Sequence, residues 1–178
     1  MARLLYSVAM NEARMAAMAA LISTPIMRMF GLQGGDSVPV TCEQPDSGFL
    51  IAEGSESAAL WMGAPSTTKP ALFVARANIW SSWALDILSD GTIAYVRIYD
   101  DTGSTCHMQM EVKDVSELLP PAGGTDPDPE TGVWGGEKFE PGYLYVDGKV
   151  ITSQQVGGLL TLDEMSFTAG NQARFVDV

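Results

Sequence analysis

The sequence is short of the residues from which most enzyme and metal sites are built. It contains one histidine, His107, and two cysteines, Cys42 and Cys106. A single histidine excludes a histidine-based metal cluster within one chain, and it restricts any Ser-His-Asp arrangement to one built on His107. The cysteines have neither a metal-binding spacing nor the density of a secreted disulfide scaffold. We interpret them as buried free thiols, with a disulfide between them as the alternative.

Recognised catalytic motifs are absent as well. The sequence has no GxGxxG, GxxxxGK[ST], GxSxG, HExxH or CxxC pattern, which removes the commonest nucleotide, hydrolase and metal-site interpretations. Asp100 and Asp101 fall in a predicted turn, and Asp163 and Glu164 fall at a predicted bulge, so neither carboxylate pair indicates glycosidase chemistry. We therefore predict a protein that is not an enzyme and that needs no cofactor.

Basic residues and long apolar runs are also scarce. The chain has 10 Lys+Arg against 22 Asp+Glu, a net charge of −12, which repels phosphate backbones and predicts no direct nucleic-acid binding. The longest uncharged apolar stretch, Met15 to Ile22, is far shorter than the roughly 20 residues of a membrane span. Glu12 and Arg14 interrupt the apolar N-terminal region, so we expect no signal peptide and a soluble protein made in the cytoplasm.

One N-terminal helix is predicted by what the sequence does contain. Asn11 suits a helix cap, and the alanine-rich residues that follow favour a helix over 11–22, which Pro25 ends. Residues 1–10 before this helix form an N-terminal arm. The helix face that we expect to pack on the core comprises Met15, Met18 and Ile22.

Beyond Pro25, short apolar runs alternate with Gly, Pro, Asp and Ser clusters, which is typical of an all-β domain. The predicted strands are Ile26–Phe30, Val38–Cys42, Phe49–Ala52, Ala58–Met62, Leu72–Arg76, Thr92–Tyr99, Thr105–Val112, Tyr143–Val146 and Leu159–Phe167. Because β and α patterns do not alternate, residues 11–178 are predicted to form a single antiparallel β-sandwich of jelly-roll type carrying the one N-terminal helix.

The strand Thr92–Tyr99 has the clearest pattern, and its hairpin partner is Thr105–Val112. Strict alternation assigns one face of the first strand to Ala94, Val96 and Ile98, and the other, amphipathic face to Ile93, Tyr95, Arg97 and Tyr99. In the second strand the apolar face comprises Cys106, Met108, Met110 and Val112, which places His107 on the polar side. We expect the amphipathic face to carry contacts.

Residues 116–142 are rich in Pro, Gly and acids and are predicted to form a long acidic surface loop. Trp134 and Phe139 in this loop are interpreted as protein contacts, because solvent alone would not hold them in place. Four acids have part of a calcium-loop spacing, namely Asp126, Asp128, Glu130 and Glu137. Proline at 127 and 129 and the lack of a glycine at 131 exclude an EF-hand, so a looser Ca²⁺ site is the alternative to a solvated loop.

Four short motifs occur in a characteristic order. They are a helix with Asn11 and Arg14 followed by a strand and Gly34-Gly35, the segment Leu50-Ile51-Ala52-Glu53, the strand that runs from Asp90-Gly91-Thr92 to Arg97-Ile98, and the closing Phe167-Thr168-Ala169-Gly170-Asn171. In this order they resemble small virion proteins of tailed bacteriophages, of the capsid decoration or cement type. Segments 116–142 and 55–88 depart from the family pattern.

The resemblance implies a structural virion protein that decorates or cements the outer capsid surface. Its implied partners are the major capsid protein lattice and copies of itself, and its implied location is the virion, after synthesis in the host cytoplasm. The residues expected to make protein contacts are Arg3, Leu4, Tyr6, Trp134 and Phe139.

Two other functions fit the same composition. A tail or head-to-tail junction component is the nearest alternative. A non-viral carbohydrate-binding β-sandwich module is the second, because exposed aromatic faces stack on sugars. The tryptophans that such a module would use are Trp61, Trp80, Trp83 and Trp134.

Overall fold

The computed structural model of the 178-residue chain describes three long stretches and several short ones. The described residues are 13, 16–17, 20–56, 74–76, 83–114, 133–134, 137–138, 143–146, 148–162, 165–168 and 172–175. Residues 13, 16, 17, 20 and 21 have helical backbone conformation, but no helix is described over its full length. Ile22, which follows them, is buried in the core as expected. Met15 and Met18 lie outside the described residues.

Thirteen strands are described, and most of their pairings are antiparallel. They are β1 (Ile26–Gly31), β2 (Phe49–Ser55), β3 (Val74–Arg76), β4 (Trp83–Ile87), β5 (Gly91–Tyr99), β6 (Cys106–Asp114), β7 (Val133–Trp134), β8 (Glu137–Lys138), β9 (Tyr143–Val146), β10 (Val150–Ile151), β11 (Leu159–Leu162), β12 (Met165–Thr168) and β13 (Gln172–Phe175). The all-β, antiparallel part of the prediction is confirmed.

One open sheet of eight strands dominates the described part of the chain. Its order is β11-β4-β2-β1-β5-β6-β9, with β10 paired to β5 beside this path. Only the β6–β9 pairing in this sheet is parallel. Two smaller sheets have the orders β13-β12-β3 and β7-β8. A two-layer jelly roll is not evident among the described residues.

Among the described residues, one apolar cluster forms the core against the large sheet. In β1, Met27 and Met29 are fully buried while Arg28 between them is partly exposed, as strand alternation requires. Val96 and Ile98 of β5 lie in the same cluster. Its other buried members are Ile22, Ile51, Ala52, Leu85, Ile87, Ile93, Met110, Val112, Leu144 and Ile151.

Among the described residues, no helix is long and apolar enough to cross a membrane.

Two bulges change the predicted faces of β5 and β6. Two consecutive residues of β1 pair with Tyr95 and with Ile93, so Ala94 between them is an extra residue in β5. Ile93 therefore lies in the core and not on the face that carries Tyr95. In the β5–β6 ladder, consecutive residues of β5 pair with Met108 and Cys106, so His107 is the extra residue. Strict alternation was therefore wrong for Ile93 and for Cys106.

Two predicted strands are also wrong. Val38–Cys42 is not a strand, because the backbone carbonyls of this region bond to side chains of the sheet. Leu159–Phe167 is two strands rather than one. β11 pairs with β4, whereas β12 pairs with β3 and β13, so the two parts of the predicted strand belong to different sheets. The bulge predicted at residues 163–164 lies outside the described residues.

Candidate functional site

The loop between β1 and β2, residues 32–48, folds over the face of the large sheet opposite the core. We call it the covering loop. Its C-terminal end approaches the sheet so closely that a Cβ atom at Gly48 would lie 2.0 Å from the carbonyl oxygen of Gly31. Gly48 has a φ of 80°, which a residue without a side chain adopts readily. Glycine at position 48 therefore allows the loop to enter β2 at this point.

Arg97, at the middle of β5, holds the covering loop. Its Nη1 donates to the carbonyl of Gln44 at 2.8 Å and to Oδ1 of Asp46 at 2.7 Å, and its Nη2 donates to the carbonyl of Thr41 at 3.1 Å. From the sheet side, its Nε donates to Oε1 of Gln109 at 2.8 Å. A buried guanidinium is tolerated only when its donors are satisfied, and here the loop satisfies most of them.

Two tyrosines on the same face complete the attachment of the loop. The Tyr95 hydroxyl donates to the carbonyl of Ser47 at 2.6 Å and accepts from the Ser47 amide at 2.9 Å. The Tyr95 ring stacks on Phe30, with centroids 4.9 Å apart. The Tyr99 hydroxyl donates to Oδ1 of Asp46. The face that sequence alternation predicted as a contact surface is thus occupied by the chain's own loop.

A second arginine extends this arrangement toward the β5–β6 turn. Arg28 forms an ion pair with Glu53 of the neighbouring strand and donates to the carbonyl of Gly103 at 3.0 Å. Its guanidinium lies over the ring of Tyr99, 4.6 Å from the centroid. Together these contacts connect β1, β2 and the turn that follows β5.

The protonation states of this cluster suit hydrogen-bond donation. Burial, reinforced by the hydrogen bond to Asp46, raises the pKa of Tyr99 well above its ordinary value. Burial also raises the pKa of Tyr95, against the hydrogen bond with Ser47. For Arg97, burial alone would lower the pKa of the guanidinium. Hydrogen bonds with Tyr99 and Asp46 help to hold this pKa above the usual value. At neutral pH the cluster therefore works as a fixed set of donors directed at the loop.

The turn after β5 is organised by Asp100. Its Oδ1 accepts hydrogen bonds from Thr102 Oγ1 at 2.8 Å, from the Ser104 amide at 3.0 Å and from the Thr105 amide at 3.3 Å. Burial would raise the pKa of this carboxyl, but the hydrogen bonds outweigh it and lower the pKa below the usual range. Asp100 thus stabilises the turn, in agreement with the interpretation of the Asp100-Asp101 pair as turn residues.

Cys42 and Cys106 meet beside the Arg97 cluster. Both are free thiols and both are half-buried. Burial and a hydrogen bond with the Cys42 side chain raise the pKa of the Cys106 thiol to about 12. The sequence interpretation was of two buried free thiols, whereas in the structure both are free but only half-buried, and their proximity was not predicted.

Three exposed apolar residues lie together where β4 and β11 form the end of the large sheet. Leu88, Val156 and Leu159 are 50%, 42% and 63% exposed, and we call them the edge patch. Backbone hydrogen bonds link Ile87 to Gly157 and Gly158 and so hold the two segments side by side. Exposed apolar groups at a sheet edge are typical of surfaces that contact another protein.

Most of the contact and metal residues predicted from sequence lie outside the described residues. Those residues are Arg3, Leu4, Tyr6, Asp126, Asp128, Glu130 and Phe139. Trp134 is in β7 and Glu137 in β8, and the two pair in register, which gives their backbone positions only. Among the described residues, no group of three or more His, Cys, Asp or Glu side chains is placed to hold a metal ion.

Sequence reasoning missed the partners of Arg97, especially Asp46, Gln44 and Gln109. A usable signal was present, because an arginine at the centre of an otherwise apolar strand requires several acceptors nearby. Which loop supplies them depends on tertiary folding.

Comparison with protein-family models, with curated proteins and with solved structures finds no match for this chain.

Proposed function

We propose that this chain is a non-enzymatic structural protein of a tailed-bacteriophage particle that decorates or cements the outer capsid surface through protein–protein contacts. The assignment to a phage particle rests on the order of the short motifs described above. The mode of action, contact through a surface, rests on the edge patch.

The edge patch supports contact with a flat protein surface. Leu88 and Leu159 are at least half exposed, and the backbone hydrogen bonds between Ile87 and residues 157 and 158 hold the two segments in place. A preorganised apolar surface loses little conformational entropy on binding. Asp86, which pairs with Leu159 in the β4–β11 ladder, is exposed beside the patch and provides a carboxylate at its rim.

The Arg97 cluster supports the same proposal, because its contacts argue against a different function, the binding of an anionic ligand. A buried arginine beside tyrosines is a common way to bind an anionic ligand, but here the guanidinium donates to Thr41, Gln44 and Asp46 of the protein itself. The cluster fixes the covering loop, so these Arg97 donors are not available to an external anion.

The charge of the chain suits the outside of a DNA-filled shell. A net charge of −12 disfavours a position against packaged DNA and keeps unassembled subunits apart in solution.

The proposed partners are the major capsid protein lattice and further copies of this chain. We further propose that the sheets pack as a jelly-roll sandwich, with the three-stranded sheet of β3, β12 and β13 as its second layer.

Co-sedimentation with undecorated capsids tests the proposal. The full-length protein should pellet with capsids at micromolar concentration and remain in the supernatant with purified tails. Replacement of Leu88 and Leu159 by serine should weaken capsid binding by about tenfold or more, because burial of a leucine side chain contributes roughly 1.5–3 kcal/mol. Val40→Ser is the matched control, since Val40 is exposed but belongs to the covering loop. It should bind as the wild type does.

Removal of residues 1–10 tests the predicted contribution of the arm, with Arg3, Leu4 and Tyr6. We expect weaker capsid binding and a melting temperature close to that of the full chain. Pelleting with tails or junction complexes instead of capsids would replace the capsid position by the tail alternative. A chain that pellets with none of the particle components would overturn the proposal.

A further inference from the structure

The position of Cys106 is set by the bulge at His107. Because His107 is the extra residue, Cys106 pairs directly with Tyr99 in the β5–β6 ladder. Paired residues of an antiparallel ladder project from the same face. Tyr99 contacts Asp46 of the covering loop, so Cys106 projects from the face that the loop covers.

The position of Cys42 is set by Arg97. The carbonyls of Thr41 and Gln44, on either side of Cys42, both accept hydrogen bonds from the Arg97 guanidinium. This fixes the short segment that carries Cys42 above β5, next to β6. The Cys106 thiol donates to the carbonyl of Met108 at 3.3 Å, and the neighbouring Cys42 side chain helps to raise the pKa of this thiol. A disulfide forms when rotation of the two side chains brings the sulfur atoms to the S–S bond length of about 2.05 Å.

We propose that Cys42 and Cys106 form a reversible disulfide that fastens the covering loop to β6 when the protein meets an oxidising environment. The oxidant is a low-molecular-weight disulfide, such as oxidised glutathione. This inference stands on the two thiols and does not depend on the proposed function.

The exchange proceeds in two balanced steps. The Cys42 thiolate attacks one sulfur of the oxidant, forms a mixed disulfide and releases one thiolate, which takes up a proton. Cys106 then loses its proton to solvent and attacks the Cys42 sulfur, which forms the internal disulfide and releases the second thiolate. Two protein thiols are oxidised and one oxidant disulfide is reduced to two thiols.

The order of the steps follows from the environment of Cys106. Burial raises the pKa of its thiol to about 12, so Cys106 is protonated at neutral pH and attacks external oxidants slowly. It acts as the resolving thiol, because the mixed disulfide at Cys42 is held in contact with it. In a reducing cytoplasm the pair remains reduced.

The disulfide would close a long stretch of chain, from position 42 to position 106, and would keep the covering loop attached. Cross-links that span long stretches restrict the unfolded chain and thereby stabilise the folded one. For a chain of this size, we expect the melting temperature to rise by on the order of 10 °C on oxidation.

Peptide mapping of the full-length protein tests this inference. The protein is incubated with oxidised or reduced glutathione, free thiols are blocked with a maleimide, and the unfolded chain is cut with trypsin. Oxidised glutathione should link tryptic fragments 29–76 and 98–113 within one chain. Cys42→Ser and Cys106→Ser, the matched controls, should give no linked fragment and no rise in melting temperature with oxidant.

Three results would overturn the inference. The first is that maleimide still modifies both thiols of the wild type after incubation with oxidised glutathione. The second is that the only linked fragments come from two different chains, seen as a dimer on a non-reducing gel. The third is an internal disulfide that leaves the melting temperature unchanged. Mapping of the wild type decides the matter even if a serine variant fails to fold.

Discussion

The guanidinium of Arg97 lies 2.7 Å from the carboxylate of Asp46, yet the two side chains differ sharply in exposure, at 2% for Arg97 and 39% for Asp46. The sheet thus supplies a buried cation, and the covering loop supplies an anion that remains in contact with water. Such a pair adds little through charge attraction alone. Its main effect is positional, because Arg97 also binds the carbonyls of Thr41 and Gln44.

Asp46→Ala should destabilise the protein by roughly 1–3 kcal/mol, since it removes an acceptor shared by Arg97 and Tyr99. Asp46→Asn keeps an acceptor oxygen and should cost clearly less. Urea unfolding at pH 7 measures both, with Asp101→Ala as a control that removes the same charge from an exposed position. Equal stability of Asp46→Ala and Asp101→Ala would show that the ion pair does not hold the loop.

Tyr95→Phe should release the end of the covering loop without disturbing the sheet. The variant keeps the ring that stacks on Phe30 but loses both hydrogen bonds to Ser47. We expect a loss of roughly 1–2 kcal/mol in stability. Amide hydrogen exchange at Ser47 should become faster, while the amides of β5 and β6 keep their protection. Unchanged exchange at Ser47 would contradict the assigned role of Tyr95.

Gly48 and Gly148 form a natural matched pair, because their φ angles are 80° and 79°. A Cβ atom at Gly48 would meet the backbone of Gly31, whereas one at Gly148 has nothing within 4 Å. Gly148→Ala should therefore cost only the strain of the left-handed conformation, about 1 kcal/mol. Gly48→Ala should cost more than about 3 kcal/mol, because the backbone must also shift. Similar losses in thermal or urea unfolding would show that the loop adapts at Gly48.

Asp100 should make the stability of the turn depend on pH. Its pKa is lowered in the folded protein, so its contribution is present above the unfolded value near 3.8 and is lost as the pH falls through the folded value. The stability difference between the wild type and Asp100→Ala should be constant from pH 7 to pH 5 and should shrink below about pH 4. Urea unfolding at several pH values measures it. A constant difference for Asp100→Ala down to pH 3 would refute the prediction.

Local patterning predicted the antiparallel β character of the fold and several of the strands that the structure describes. Alternation in most of β5 and β6 placed Val96, Ile98 and Met110 correctly in the core. It failed at Ile93 and Cys106, because a bulge inserts one residue and reverses the faces beyond it. A bulge depends on the pairing strand, so a pattern within one strand does not reveal it.

The candidate site was less predictable than the fold. Tyr95, Arg97 and Tyr99 were assigned to one amphipathic face, and the structure confirms that they share it. Their partners, from Thr41 to Ser47, come from a segment in which a strand had been predicted in part. The apolar character of Val38 and Val40 favoured that strand, whereas the acceptors needed by Arg97 determined the actual conformation.

Immunogold electron microscopy of intact particles tests the proposed function most directly. Particles are purified from the phage that, on this proposal, encodes the chain. They are labelled with antibody raised against the full-length protein, and heads and tails are scored separately. Particles from a phage with the coding sequence deleted provide the control for background labelling. The proposal predicts gold over the outer surface of the heads, at many sites per particle. Gold confined to tails or junctions, or labelling no greater than that of the deletion control, would contradict it.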